Sequence, residues 1–166
     1  MSQENKINQS CRGSIQKNIG TVKEKENCPK CYEIGEKVKN ITVKNMVSEN
    51  LMGKVVDEET YYLCMNEDCD VVYYNLNNER VFYKEEVKVP IWLKKNANPK
   101  YICYCNQVTE QQIINAVLDD GAKNIKDIIR LTGAMKNGKC EINNPLGKCC
   151  SPFIQETINK ALNSKE

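Results

Sequence analysis

Apolar positions are scarce over residues 1–26, where Lys, Glu, Asn and Gln follow one another without a period, and this stretch reads as a mobile tail. From Thr42 the spacing changes: Val43, Met46 and Val47 share one face of a short predicted helix. Three β-branched and aromatic runs follow, Tyr61 to Cys64, Val71 to Tyr74 and Val81 to Tyr83, each of strand length. Asn75-Leu76-Asn77-Asn78 between the last two predicts a hairpin turn. Trp92, after Val89-Pro90-Ile91, reads as a core residue at the end of this unit. Residues 94–100 are polar and contain Pro99, and they predict a linker between two domains.

Beyond the linker the pattern is helical. Thr109 followed by Gln112 forms a capping-box signature, and Ile113, Ile114, Val117 and Leu118 then line one face up to a stop at Gly121. Asn124 can cap a second helix carrying Ile125, Ile128 and Ile129, ended by Gly133. Ser151-Pro152 opens a last helix with Phe153, Ile154, Ile158, Ala161 and Leu162 on its apolar face. Between them, Ala134 to Cys150 shows no helical pattern. A loop of that length inside a compact domain is usually functional, and this one contains cysteines.

The expected fold is therefore α+β: a flexible tail over 1–26, a small β-rich module over 27–93, a linker over 94–100 and an all-helical domain over 101–166. Two units this small have thin cores and commonly need a disulfide or a metal. The 166 residues include ten cysteines and no histidine. Without histidine a metal must sit mainly on thiolates, which suit zinc and iron–sulfur clusters. The net charge of +2 is small and the charges are mixed, which argues against nucleic acid as a partner. No run approaches the roughly 18 apolar residues of a membrane span, and the start lacks a secretory signal. A cytoplasmic protein is expected, where paired cysteines are metal ligands rather than the disulfides of a secreted scaffold.

Cys28-x2-Cys31 and Cys64-x4-Cys69 form two pairs in the β-rich module. A tight thiolate turn and a second pair at a strand end can complete a tetrahedron around zinc, which fills all positions and makes the site structural. A mononuclear iron is the chemical alternative, although the x4 spacing fits it less well. Asp68 or Asp70 could replace one sulfur. In the second half, Cys103-x-Cys105 precedes the Thr109 helix, Cys140 lies in the long loop, and Cys149-Cys150 precedes the Ser151 helix. The C-x-C pair is expected to place two thiolates beside one iron, with N–H groups at the two helix starts facing an anionic centre. Four thiolates suit a [2Fe–2S] cluster, and a second zinc is the alternative. Cys11 lies alone in the tail and reads as a free thiol.

These residues resemble a family. Cys103-Tyr104-Cys105, Val108-Thr109-Glu110 and Leu131 to Ala134 look like the bacterioferritin-associated-ferredoxin (BFD) type of [2Fe–2S] domain. The stretch Cys140 to Cys150 resembles the version in the amino-terminal half of CopZ-type copper chaperones. Cys28-Pro29-Lys30-Cys31 and Cys64 to Tyr73 look like the zinc-binding module that precedes it there. The resemblance covers about residues 27–160. It implies zinc on Cys28, Cys31, Cys64 and Cys69, and a redox-active [2Fe–2S] cluster on Cys103, Cys105, Cys140 and one of the adjacent pair, Cys150 being expected and Cys149 the alternative. Copper chaperones of this type also carry a Met-x-Cys-x-x-Cys copper loop. The sole C-x2-C in this sequence is Cys28–Cys31, so direct copper trafficking by this chain alone is not expected.

The leading functional expectation is a one-electron transfer module in copper handling, reducing Cu(II) to Cu(I) for a separate copper carrier or copper ATPase. The alternatives are a metallochaperone that delivers copper or a cluster, and a structural adaptor with two zincs. An enzyme is not expected: no nucleophile–base pair, phosphate-binding glycine loop or open metal site is legible.

Overall fold

The computed structural model describes residues 26–165. Residues 1–25, which hold Cys11 and nearly all of the expected tail, lie outside the described residues.

Four short strands form one antiparallel sheet in chain order: β1 (Glu36–Val38), β2 (Tyr61–Leu63), β3 (Val71–Tyr74) and β4 (Val81–Tyr83). The register pairs Glu36 with Leu63, Leu63 with Tyr73, and Tyr73 with Phe82. Helix α1 (Asn40–Met46) follows β1 and buries Thr42, Val43 and Met46. The three runs read as strands from sequence are strands here. β1 has no apolar alternation and exists through its pairing with β2.

Every residue of β3 is buried, because both faces of the sheet are covered. One face packs Val38, Val43, Val47, Tyr61, Leu63, Val72, Tyr73 and Phe82 into a core. The other carries Val71 and Tyr74 against Cys28, Cys64 and Cys69. Neighbours on a regular strand face opposite ways, yet Val72 and Tyr73 both enter the first core. The register shift between Val71 and Tyr73 accounts for this: a bulge inserts one residue and re-aims the side chains around it. Gly35 lies where a Cβ would come 2.7 Å from the Leu63 carbonyl, so any side chain there would push β1 off β2.

The second half is mixed rather than all-helical. β5 (Tyr101–Cys103) pairs antiparallel with β6 (Val108–Thr109), and the turn between them holds Tyr104, Cys105 and Gln107. Two ladder positions leave too short a pattern for alternation to register in the sequence. Four helices follow: α2 (Glu110–Leu118), α3 (Ile125–Thr132), the single turn α4 (Cys140–Asn143) and α5 (Ser151–Ser164). Thr109 caps α2 with the expected reciprocal bonds: the Gln112 N–H donates to its hydroxyl at 3.2 Å, and its own N–H donates to Gln112 Oε1 at 2.8 Å. Gly133 ends α3 in the left-handed region at φ 81°. α4 forms inside the loop that showed no helical pattern. Ile113, Val117, Ile128, Ile154 and Ile158 are fully buried where α2, α3 and α5 meet.

The two halves touch extensively. Trp92 packs into both cores, its ring 5.0 Å from that of Phe153 on α5. Leu146, from the cysteine loop of the second half, is buried in the first core. Lys94, at the head of the expected linker, is only 4% exposed, and its ammonium donates to the carbonyls of Cys64 at 3.0 Å and Asn66 at 2.8 Å.

Candidate metal centres

The first centre is assembled by two tight turns. After Cys28 the chain reverses: the Tyr32 N–H donates to the Cys28 carbonyl at 2.9 Å, the Cys28 N–H to the Glu33 carbonyl at 2.8 Å, and Tyr32 takes a positive φ of 64°. Cys64 leaves the end of β2, and the Cys69 N–H closes the second turn on the Asn66 carbonyl at 3.2 Å. The sulfurs of Cys28, Cys31, Cys64 and Cys69 all lie within 4.8 Å of one another. Cys28 and Cys69 are 3.9 Å apart, and Cys31 and Cys64 are 3.6 Å apart. A zinc tetrahedron with bonds of about 2.3 Å has sulfur–sulfur edges of roughly 3.8 Å, so these four thiols fit one such ion.

Cys28 and Cys64 are fully buried, and burial pushes both thiols up. At Cys31, burial is outweighed by a backbone hydrogen bond at Glu33 and by the thiols of Cys64, Cys28 and Cys69, so its thiol lies below its ordinary value. Asp68 and Asp70 turn to surface lysines instead: Asp68 to Lys95 at 3.3 Å, Asp70 to Lys84 at 3.1 Å and to Lys30 at 3.4 Å. The bonds from Lys84 and Lys30 hold the Asp70 carboxyl below its ordinary value.

The second centre has a different geometry. Cys103 ends β5 and Cys105 lies in the following turn. Cys140 begins α4, and Cys150 caps α5. Cys105 and Cys140 lie 3.8 Å apart, and Cys103 and Cys150 are buried together in the second core, close enough for each to shift the other's ionisation. Among the described residues only the first centre gathers ligand atoms all within 4.8 Å. The second set is not gathered that tightly, and four thiolates around a wider site suit a two-iron cluster.

Cys103 is pulled down to about 5, first by the neighbouring Cys150 thiol and then by N–H donors that outweigh its burial. Cys150 is raised by its Cys103 neighbour and by burial. Cys140 is pushed up to about 11 by burial and then by Cys105. The Met135 N–H donates to Cys103 Sγ at 3.4 Å and the Lys139 N–H to Cys105 Sγ at 3.2 Å. Met135 lies in the loop and Lys139 is the N-cap of α4, while at the start of α5 the Cys150 N–H lowers Cys140. Cys149, which is exposed, donates to the Ser151 hydroxyl at 3.5 Å, and Ser151 and then the Cys140 thiol hold it below its ordinary value. Composition and spacing gave no sign of these donors, nor of Asn106, whose side-chain amide stands 3.6 Å from Cys103 Sγ.

Comparison with known proteins agrees with this division. A zinc-binding domain family of CopZ type matches residues 25–88, and the BFD-like [2Fe–2S] binding domain family matches residues 101–160. Copper chaperone CopZ of Archaeoglobus fulgidus is 37% identical over 123 residues, covering 74% of this chain; this chain spans 57% of that protein's length. The X-ray structure of the Archaeoglobus fulgidus CopZ N-terminal domain superposes with a TM-score of 0.65 at 36% identity, over 78% of this chain and 95% of that one.

Proposed function

We propose that this chain, which belongs to the family of CopZ amino-terminal domains and so holds zinc and a [2Fe–2S] cluster, works as a one-electron transfer module. The observation that carries the reading is the convergence of four thiols from β5, its following turn, α4 and the start of α5, with Cys105 and Cys140 at 3.8 Å and Cys103 and Cys150 buried in one core. We assign zinc to Cys28, Cys31, Cys64 and Cys69 and the cluster to Cys103, Cys105, Cys140 and Cys150. Residues 27–93 and 101–166 are taken as the zinc-binding and cluster-binding modules. Zinc has no redox chemistry, and with four protein ligands it leaves no open position, so its role is to hold the sheet. The cluster, when bound, supplies a one-electron couple.

The protein's own residues set the conditions for that couple. N–H donation from Met135 and Lys139 to sulfur favours the more negative, reduced state and raises the potential. Cys103 and Cys150 are buried while Cys105 and Cys140 are partly exposed, so the electron leaves by the Cys105 and Cys140 edge. The relative named a copper chaperone makes Cu(II) the proposed acceptor, each ion taking one electron to become Cu(I) for a separate carrier or copper ATPase. No nucleophile–base pair serves a substrate at either centre, and the protein is proposed as a carrier rather than an enzyme. Among the described residues no helix is long and apolar enough to cross a membrane. A compartment that keeps thiols reduced, such as the cytoplasm, suits both centres.

Mixing anaerobically reduced protein with Cu(II) and a Cu(I)-selective chelator tests the copper step. The expected yield is one Cu(I) for each cluster reoxidised, above the thiol background given by the Cys103→Ser variant. An equal yield from that variant would contradict it.

The adjacent cysteines offer a separate check. Cys150 is buried against Cys103, whereas Cys149 faces solvent. Cys149→Ala is expected to leave the visible spectrum unchanged and Cys150→Ala to bleach or shift it. The reverse pattern would move the fourth ligand to Cys149.

A further inference from the structure

Both chain segments that carry the cluster cysteines are braced on the zinc-binding half. The first is Cys103-Tyr104-Cys105. The Tyr104 hydroxyl, on a residue only 8% exposed, donates to the Pro90 carbonyl at 2.7 Å and accepts from the Trp92 N–H at 2.9 Å. The same short segment ends at Lys94, whose buried ammonium holds the carbonyls of Cys64 and Asn66, the near side of the Cys64-x4-Cys69 turn. Pro90 to Lys94 thus bridges the residue between two cluster cysteines and a turn that carries two zinc cysteines.

The second segment is the loop from Cys140 to Cys150, which has one helical turn of its own. It rests on the sheet module at successive points. The Thr42 hydroxyl donates to the Glu141 carbonyl at 2.6 Å, and the Tyr73 hydroxyl to the Pro145 carbonyl at 2.5 Å. Leu146 fills the first core. Gly147, at φ 68°, lies where a Cβ would stand 2.5 Å from Thr42 Oγ1. Tyr73 belongs to β3, whose Val71 and Tyr74 pack on the zinc cysteines.

We propose that the two metal centres are thermodynamically coupled: the zinc-loaded sheet is the wall on which both cysteine segments of the cluster are set, through Tyr104, Thr42 and Tyr73. This rests on the cluster assignment to Cys103, Cys105, Cys140 and Cys150. Without zinc, the Cys64 turn loses the order that Lys94 and β3 depend on, and the cluster loop loses its bracing. Linkage makes the effect reciprocal, so the bound cluster tightens zinc by the same factor. Losing two or three hydrogen bonds of ordinary net strength corresponds to about a tenfold to hundredfold change in cluster retention.

The test uses the full chain, reconstituted anaerobically with ferrous iron and sulfide, with and without one equivalent of zinc. Cluster survival against an iron chelator is followed by visible absorbance and acid-labile sulfide. The zinc-loaded cluster is expected to survive about tenfold to hundredfold longer. Thr42→Val combined with Tyr73→Phe removes two braces without touching a cysteine. It is expected to shorten cluster survival about tenfold in the zinc-loaded protein while zinc affinity of the cluster-free chain stays unchanged. A chain that takes up no sulfide in either condition overturns the cluster assignment and the coupling with it. A cluster whose survival ignores both zinc and the double variant overturns the coupling alone.

Discussion

Replacing Cys64 with serine is expected to strip the zinc and melt the four-stranded sheet. Cys64 is fully buried at the end of β2, and its N–H pairs with the Val72 carbonyl at 2.8 Å, so ligand and ladder share one residue. A unit of this size draws only about 3–5 kcal/mol from its core. Structural zinc contributes about 10–16 kcal/mol in small metal-binding peptides. Three remaining thiolates and a serine hydroxyl cannot replace that contribution. Elemental analysis should find zinc lost, and amide NMR should show residues 36–83 disordered. The conservative change at Asp70, Asp70→Asn, should leave zinc in place, because that carboxylate is paired with Lys84 and Lys30 at the surface. Zinc retained in Cys64→Ser but lost in Asp70→Asn would transfer the ligand to the aspartate.

Cys103→Ser and Cys140→Ser are each expected to abolish the visible chromophore while zinc stays near one per chain. Each change removes one sulfur from the site: Cys103, buried in one core with Cys150, or Cys140, 3.8 Å from Cys105. A serine hydroxyl is far less acidic than a thiol and does not offer the soft anionic donor that iron in such a cluster takes. The Cys103 change should be the more severe, since its sulfur is buried and also accepts the Met135 N–H at 3.4 Å. Iron and sulfide analysis of the purified variants checks this. A variant that keeps two irons and two sulfides would remove that cysteine from the site.

Much of this was legible in the sequence, for identifiable reasons. Cys28-x2-Cys31 and Cys64-x4-Cys69 are local turns, and local turns show in spacing. Thr109 with Gln112, and Gly133, act within one helical turn of their own residues, so caps predicted from sequence appear in the structure. The rest depends on partners distant in sequence. β1 is polar and exists through Tyr61 to Leu63. The bulge beside Val72 is a property of the β3 and β4 pairing. The approach of Cys105 to Cys140 at 3.8 Å, and the burial of Cys103 with Cys150 in one core, come from tertiary contacts that spacing does not show. Lys94 reads as linker because lysines are seldom buried. Here two carbonyls and the neighbouring thiol cluster offset the cost of burying its charge.

The most direct test of the central claim is a redox titration of anaerobically purified chain, with zinc, iron and acid-labile sulfide counted on the same sample. The account predicts one zinc, two irons and two sulfides per chain, with a chromophore that takes up and returns one electron. Two zincs per chain with no acid-labile sulfide, in protein made with ample iron, would contradict it.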